Sequence, residues 1–294
     1  MMDLGRVVTA MVTPFDDHGN VDFDKVIILL DHLIENGSDA IIIAGTTGES
    51  PTLSFEEKIS LFQCAVDHAE SRVPIIASTG TNNTKTSIDL TIAASKIGVH
   101  GIMLVSPYYN KPSQLGIYTH FKTIASETNL PIMIYNIPGR TSSHVEASTI
   151  IALSKIKNIK AIKESSGNLE LLATIIEQTD DHFQVYTGDD PLALPSVAIG
   201  ARGVVSVSSH IIGKQLKKML TYYMDGKVLE AAQYHRQLLP IMKSLFLAPN
   251  PVCIKYAISQ MLFNVGTTRL PLVPITASEK EKVDEQITRI KTIN

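Results

Sequence analysis

The chain has 294 residues, with 44% hydrophobic residues, 19% charged residues and a formal net charge of −3. That length and balance fit one large globular domain or a barrel with a small addition. No run of like charge points to nucleic acid or a membrane surface, no basic leader with an apolar core opens the sequence, and two isolated cysteines, Cys64 and Cys253, make no disulfide framework, so the expectation is a soluble cytoplasmic protein.

The first apolar run is Val7–Thr13. Others follow about every 20 to 35 residues: Ala40–Gly45, Pro74–Thr79, Gly101–Ser106, Pro131–Asn136, Ile159–Ser165, Gln184–Gly188 and Gly203–Ser209. Each is rich in Ile, Val, Met or Tyr and nearly continuous, the pattern of strands covered on both faces. Amphipathic stretches lie between them. Phe23–Asn36 carries Val26, Leu29, Leu30 and Leu33 on one stripe, Phe55–Ala69 carries Ile59, Phe62 and Val66, and Lys85–Gly98 carries Ile88, Thr91, Ile92 and Ser95. Ser54 with Glu57 reads as a capping box, and Gly37, Gly98 and Gly200 fall where helices should stop. Eight alternating units predict parallel pairing closed into a (β/α)8 TIM barrel over residues 1–226. A doubly wound open sheet is second, since no glycine-rich dinucleotide turn follows the first strand. Residues 227–294 read as a C-terminal helical region interrupted by Pro240, Pro249, Pro251, Pro271 and Pro274, without a function of its own.

A barrel places its chemistry at the C-terminal ends of its strands. Period-two alternation puts Ala161, Lys163 and Ser165 on one face of the sixth strand and Ile162 and Glu164 on the other, so Lys163 points into the barrel if Ile162 packs under the helices. Desolvation favours a neutral amine, the form that attacks a ketone. Position alone equally fits a strand-end lysine that reaches solvent. Tyr135 occupies the matching place on the neighbouring strand and could carry protons, or be a satisfied core tyrosine. Thr46 and Thr47 sit in a glycine-flanked turn whose N–H groups and hydroxyls suit a small carboxylate, although ordinary turn chemistry explains them too. Arg140 follows a Pro-Gly turn and has the fork to bind a carboxylate, or is a surface arginine. Asp189 and Asp190, before Pro191, read as a helix N-cap and a first-turn acid rather than as metal ligands.

Gly45-Thr46-Thr47-Gly48-Glu49, Pro107-Tyr108-Tyr109-Asn110-Lys111-Pro112, Tyr135-Asn136-Ile137-Pro138-Gly139-Arg140-Thr141, Ile162-Lys163-Glu164-Ser165-Ser166-Gly167, Asn250-Pro251 and Arg269-Leu270-Pro271-Leu272 stand in the order and spacing of the dihydrodipicolinate synthase and N-acetylneuraminate lyase superfamily. The resemblance spans essentially the whole chain. It implies that Lys163 condenses with pyruvate as a Schiff base, that Tyr135, Thr46 and Tyr109 form a proton relay, and that Tyr109 serves the site of a neighbouring subunit. A homo-oligomer follows, with a dimer as the minimum active unit and a tetramer as the expected assembly. Thr47 and Val205 match positions that contact pyruvate, Gly188 lines the same pocket, and Arg140 matches the anchor of the aldehyde's carboxylate. Arg140 and Tyr108-Tyr109-Asn110 favour the synthase branch, in which pyruvate and L-aspartate 4-semialdehyde condense on the diaminopimelate route to lysine with no cofactor and no metal. Another pyruvate-dependent aldolase or keto-acid dehydratase is the second reading, and a catalytically silent binding protein the third. Two departures stand out. Lysine-inhibited synthases carry histidines after the strand-two loop and a glutamate in the helix after strand three, whereas this chain has Phe55, Lys58 and Thr86, so weak or absent feedback by lysine is expected. Cys253 stands where a proline is usual, and the sequence gives no functional account of it.

Overall fold

The computed structural model describes residues 3–293. Among them, eight strands close a parallel barrel in simple sequential order: β1 Val7–Ala10, β2 Ala40–Ile43, β3 Ile75–Ser78, β4 Gly101–Val105, β5 Ile132–Asn136, β6 Ile159–Glu164, β7 Gln184–Thr187 and β8 Gly203–Ser206, with β8 paired back onto β1. All eight predicted runs become strands; β5 ends at its predicted limit, Asn136, and the other seven stop one to three residues short of theirs, where the chain turns into the loops of the upper face.

The alternation on each strand divides the core into two layers. Ile41, Ile43, Ile134 and Ile162 face outward into a large cluster shared with the helices, while Ala40, Ile42, Met133, Tyr135, Ala161 and Val205 fill the barrel interior. Ile162 therefore does pack under the helices and turns Lys163 inward. The helices Phe23–Glu35, Phe55–Ala69 and Thr84–Ile97 start on side-chain caps from Asp22, Ser54 and Asn83, and Ser54 with Glu57 forms the full capping box. Gly98 closes the third of these helices with φ of +92°, a conformation that costs a glycine nothing.

Pro240 does not interrupt the C-terminal region as expected; it lies inside one helix, Val228–Ser244. The backbone bond that a proline forfeits is outweighed there by the burial of Leu238, Ile241 and Met242. The later helices, Val252–Met261 and Ala277–Ile290, bury Ile254, Ile258, Val283 and Ile287 in the same apolar cluster as the barrel's outer face. Cys253 is fully buried, and its sulfur accepts the Ala248 N–H at 3.4 Å.

Candidate active site

Above the C-terminal ends of β2 to β5 lies a cleft of about 360 Å³. Thr46, Ser78, Gly80, Val105, Tyr108, Tyr135, Ile137 and Arg140 line it, joined on one side by Ser50, Lys58 and Thr81. Tyr135 and Lys163 are direct partners in the β5–β6 register. Lys163 is 5% exposed, and its Nζ lies 4.1 Å from the centre of the Tyr135 ring. Among the described residues it forms no ion pair. Its alkyl stem passes so close to Gly188 that a Cβ there would stand 2.6 Å from Lys163 Cε and 1.9 Å from Ser165 Oγ. A side chain at 188 would force Lys163 and Ser165 to shift. Glu164, on the outward face, is also buried and is held by Asn136 Nδ2 (2.7 Å) and the Ser166 N–H, which brace the end of β6 beside Lys163.

The loop after β2 is tightly specified. Ala44 and Glu49 bracket it with φ of +54° and +57°, a left-handed conformation that is rare for residues with a side chain. Glu49 N–H donates to Thr46 O and Ser50 N–H to Gly45 O. The N–H groups of Thr46 and Thr47 take no part in these turn bonds. Thr46 faces the cleft; Thr47 is 2% exposed, and its hydroxyl accepts a hydrogen bond from Asn250 Nδ2 at 2.9 Å. Arg140 is carried on the one-turn helix Pro138–Thr141, at the rim of the cleft.

The expected site residues are thus partly gathered. Thr46, Tyr135 and Arg140 share the cleft, Lys163 and Gly188 adjoin it behind Tyr135, and Val205 is buried in the same interior layer as Tyr135. Tyr109 is not among them. Its φ is +74°, its N–H reaches Thr141 O at 3.4 Å, and it is 88% exposed and outside the lining of the cleft. Asp189 and Asp190 take the expected N-cap and first-turn positions of the short helix Asp190–Leu192, but their side chains do other work. Asp189 makes no side-chain cap, and Asp190 is buried with Oδ2 accepting the N–H groups of Val207 (3.1 Å) and Ser208 (2.9 Å), which staples the loop after β7 to the loop after β8. Burial raises the carboxyl groups of both above the usual range.

Sequence reasoning missed a second buried lysine. Lys255, on the helix Val252–Met261, is 2% exposed and pairs with Glu49 Oε1 at 2.6 Å, above the ring of Phe15. Desolvation lowers its amine to about 8, against the opposing pull of Glu49. Beside it, Arg269 donates its backbone N–H to Glu49 Oε2 and its guanidinium to Thr52 O and Glu57. The loop after β2 is therefore held from below by residues more than 200 positions away.

The model of the dihydrodipicolinate synthetase family matches residues 3–290. The chain belongs to that family. It is 53% identical to the 4-hydroxy-tetrahydrodipicolinate synthase of Bacillus velezensis, over 98% of this chain and 100% of that one, and 51% identical to the enzyme of the same name from Oceanobacillus iheyensis, over 99% and 97%. Among solved structures, a dihydrodipicolinate synthase of Bacillus anthracis superposes with a TM-score of 0.97 at 48% identity, each chain covered to 100%. A family member from Cyanidioschyzon merolae, solved with lysine bound, superposes with a TM-score of 0.97 at 43% identity over 99% of both chains. The family is one of lyase-type synthases, and the barrel with C-terminal helices is its architecture.

Proposed function

We propose that this chain is a 4-hydroxy-tetrahydrodipicolinate synthase that works through a Schiff base on Lys163. The observation that carries the reading is the unpaired, buried amine of Lys163 against the Tyr135 ring, at the edge of a cleft large enough for two small acids.

The amine attacks the ketone carbon of pyruvate, and water leaves as the imine forms. The imine draws electrons from the methyl group, which loses a proton to give an enamine; no further cofactor is required. Tyr135 and Thr46 carry protons in these steps, with Tyr109 of a second subunit completing the relay, a reading that the exposure of Tyr109 in the single chain supports. Thr47 and the free N–H groups of its turn hold the pyruvate carboxylate, while Val205 and Gly188 shape the pocket around the substrate. The enamine carbon bonds to the aldehyde carbon of L-aspartate 4-semialdehyde, whose carboxylate Arg140 binds at the rim, and the aldehyde oxygen takes a proton. The amino group of the bound aldehyde then displaces Lys163, closes the ring and frees the enzyme. The active assembly is at least a dimer, with a tetramer as the full form, in the cytoplasm.

Reduction with borohydride in the presence of pyruvate, read by intact mass and peptide mapping, is expected to leave a reduced pyruvate adduct on Lys163, in a preparation that also consumes aspartate semialdehyde. An adduct without turnover of the semialdehyde would reassign the acceptor aldehyde; folded protein without an adduct would rule out the Schiff base.

A further inference from the structure

A hydroxyl group carries one proton and two acceptor positions. Left to itself, the Thr47 hydroxyl rotates and presents either to its surroundings. The loop that carries it is otherwise fixed: Glu49 N–H holds Thr46 O, Thr13 Oγ1 donates to Gly48 O at 2.7 Å, and the Glu49 carboxylate is locked to Lys255. The torsion of the hydroxyl is the remaining freedom, and Asn250 removes it. Its Nδ2 donates to Thr47 Oγ1 at 2.9 Å, and both residues are buried, at 6% and 2% exposure. An oxygen that accepts on that side must send its own proton elsewhere. The amide oxygen of Asn250 meets no partner among the described residues, so the threonine is the side chain's single polar contact there.

We propose that Asn250 is a positioning residue for the reaction: by donating to Thr47, it fixes that hydroxyl as a donor for the pyruvate carboxylate. This rests on the reading that Thr47 holds that carboxylate. Asn250 precedes the helix Val252–Met261, and Lys255, on the first turns of that helix, is the residue that grips Glu49 two positions after Thr47. The donor and its target therefore share one rigid frame, and the C-terminal region takes part in substrate recognition without touching the substrate.

The test is a double-mutant cycle with Asn250→Ala and Thr47→Val, reading the two KM values, kcat and Tm. Loss of one oriented hydrogen bond is expected to raise the pyruvate KM about fivefold to tenfold in each single variant. The semialdehyde KM should stay unchanged in Asn250→Ala, and Asn250→Ala should add less than about twofold on top of Thr47→Val, because the two act as one unit. Should Asn250→Ala fail to fold, Asn250→Asp is read in the same way. Its carboxylate only accepts, so it turns the threonine proton away from the pocket, and the pyruvate KM should rise in the presence of Thr47 but not in the Thr47→Val background. A fall in Tm alone, an equal rise in both KM values, or a full further effect in the Thr47→Val background would each overturn the proposal. If Thr47→Val raises the pyruvate KM and Asn250→Ala does not, the proposal fails while the reading of Thr47 stands. If Thr47→Val leaves the pyruvate KM unchanged, that reading fails, and the proposal with it.

Discussion

Two lysines are buried in this fold, and they are treated in opposite ways. Lys255 is matched to Glu49 at 2.6 Å and donates to Thr267 O at 3.0 Å, while Lys163 forms no ion pair among the described residues and rests on an aromatic face. A buried charge is tolerated when a countercharge and hydrogen bonds replace its water. Lys255 has both, whereas the amine of Lys163 faces the Tyr135 ring instead. The comparison shows that depth alone does not mark a nucleophile. What separates the two lysines is whether the surrounding chain supplies a carboxylate, and β6 instead directs Glu164 to the opposite face, toward Asn136.

The sharpest way to break this comparison is to remove each lysine in turn. Lys163→Ala should abolish turnover by ~10⁴-fold or more, with a Tm no lower than that of the parent, since no partner is left unpaired; a marked loss of stability would show that Lys163 is structural. Mixing that variant with Tyr109→Ala, itself slowed about 10²-fold, should restore activity through hybrid dimers that hold one intact site, and steady-state rates of the mixture check this. Lys255→Met should have the inverse profile, losing about 3–5 kcal/mol in urea unfolding because Glu49 remains buried and unpaired, and Lys255→Met with Glu49→Leu should recover much of that loss. The third effect is pH-dependent. His210 is fully buried, with Nδ1 directed at Val207 O (2.7 Å) and Nε2 accepting the Val12 N–H (3.1 Å), and desolvation lowers it from 6.5 to about 4. Its folded value lies below its unfolded one, so the contribution is complete above pH 6.5 and is lost as the pH falls toward 4. Stability measured across that window should decline by on the order of 3 kcal/mol from this residue, and a less steep decline is expected in His210→Gln. The smallest effect concerns lysine as a ligand. Lys58 lines the rim of the cleft beside Ser50 and Thr81. A cationic ligand would meet a like charge there, and millimolar lysine should lower the rate less than about twofold; Lys58→His should raise that sensitivity.

Most of the barrel was legible because its signals are local. Eight apolar runs of strand length, the capping box at Ser54 and the glycine at 98 each act within a few residues, and the structure places them as expected. The inward turn of Lys163 was legible too, since it follows from alternation along β6. Only the strand ends were overextended, because apolar residues such as Met11 and Val12 continue into loops that are also buried. The pairing of Glu49 with Lys255 and of Thr47 with Asn250 was not legible. Those partners lie more than 200 positions apart, and no periodicity relates them. The lone cue was a lysine within the otherwise apolar stretch Val252–Ala257. The position of Asp190 as a first-turn acid was legible, but its partners were not, for the same reason: they belong to the loop after the next strand.

The dependence of the β2 loop on Asn250, Lys255 and Arg269 also has a consequence for biosynthesis. A ribosome making about 5 to 20 residues per second emits the Gly45–Ser50 segment roughly 10 to 40 s before those three residues. Throughout that interval Glu49 lacks Lys255, and the turn around Thr47 has Thr13 on Gly48 O but not yet Asn250. The nascent barrel can lay down its strands in order, but its pyruvate pocket waits for a segment translated much later, so a stalled or truncated chain yields a barrel without a competent mouth.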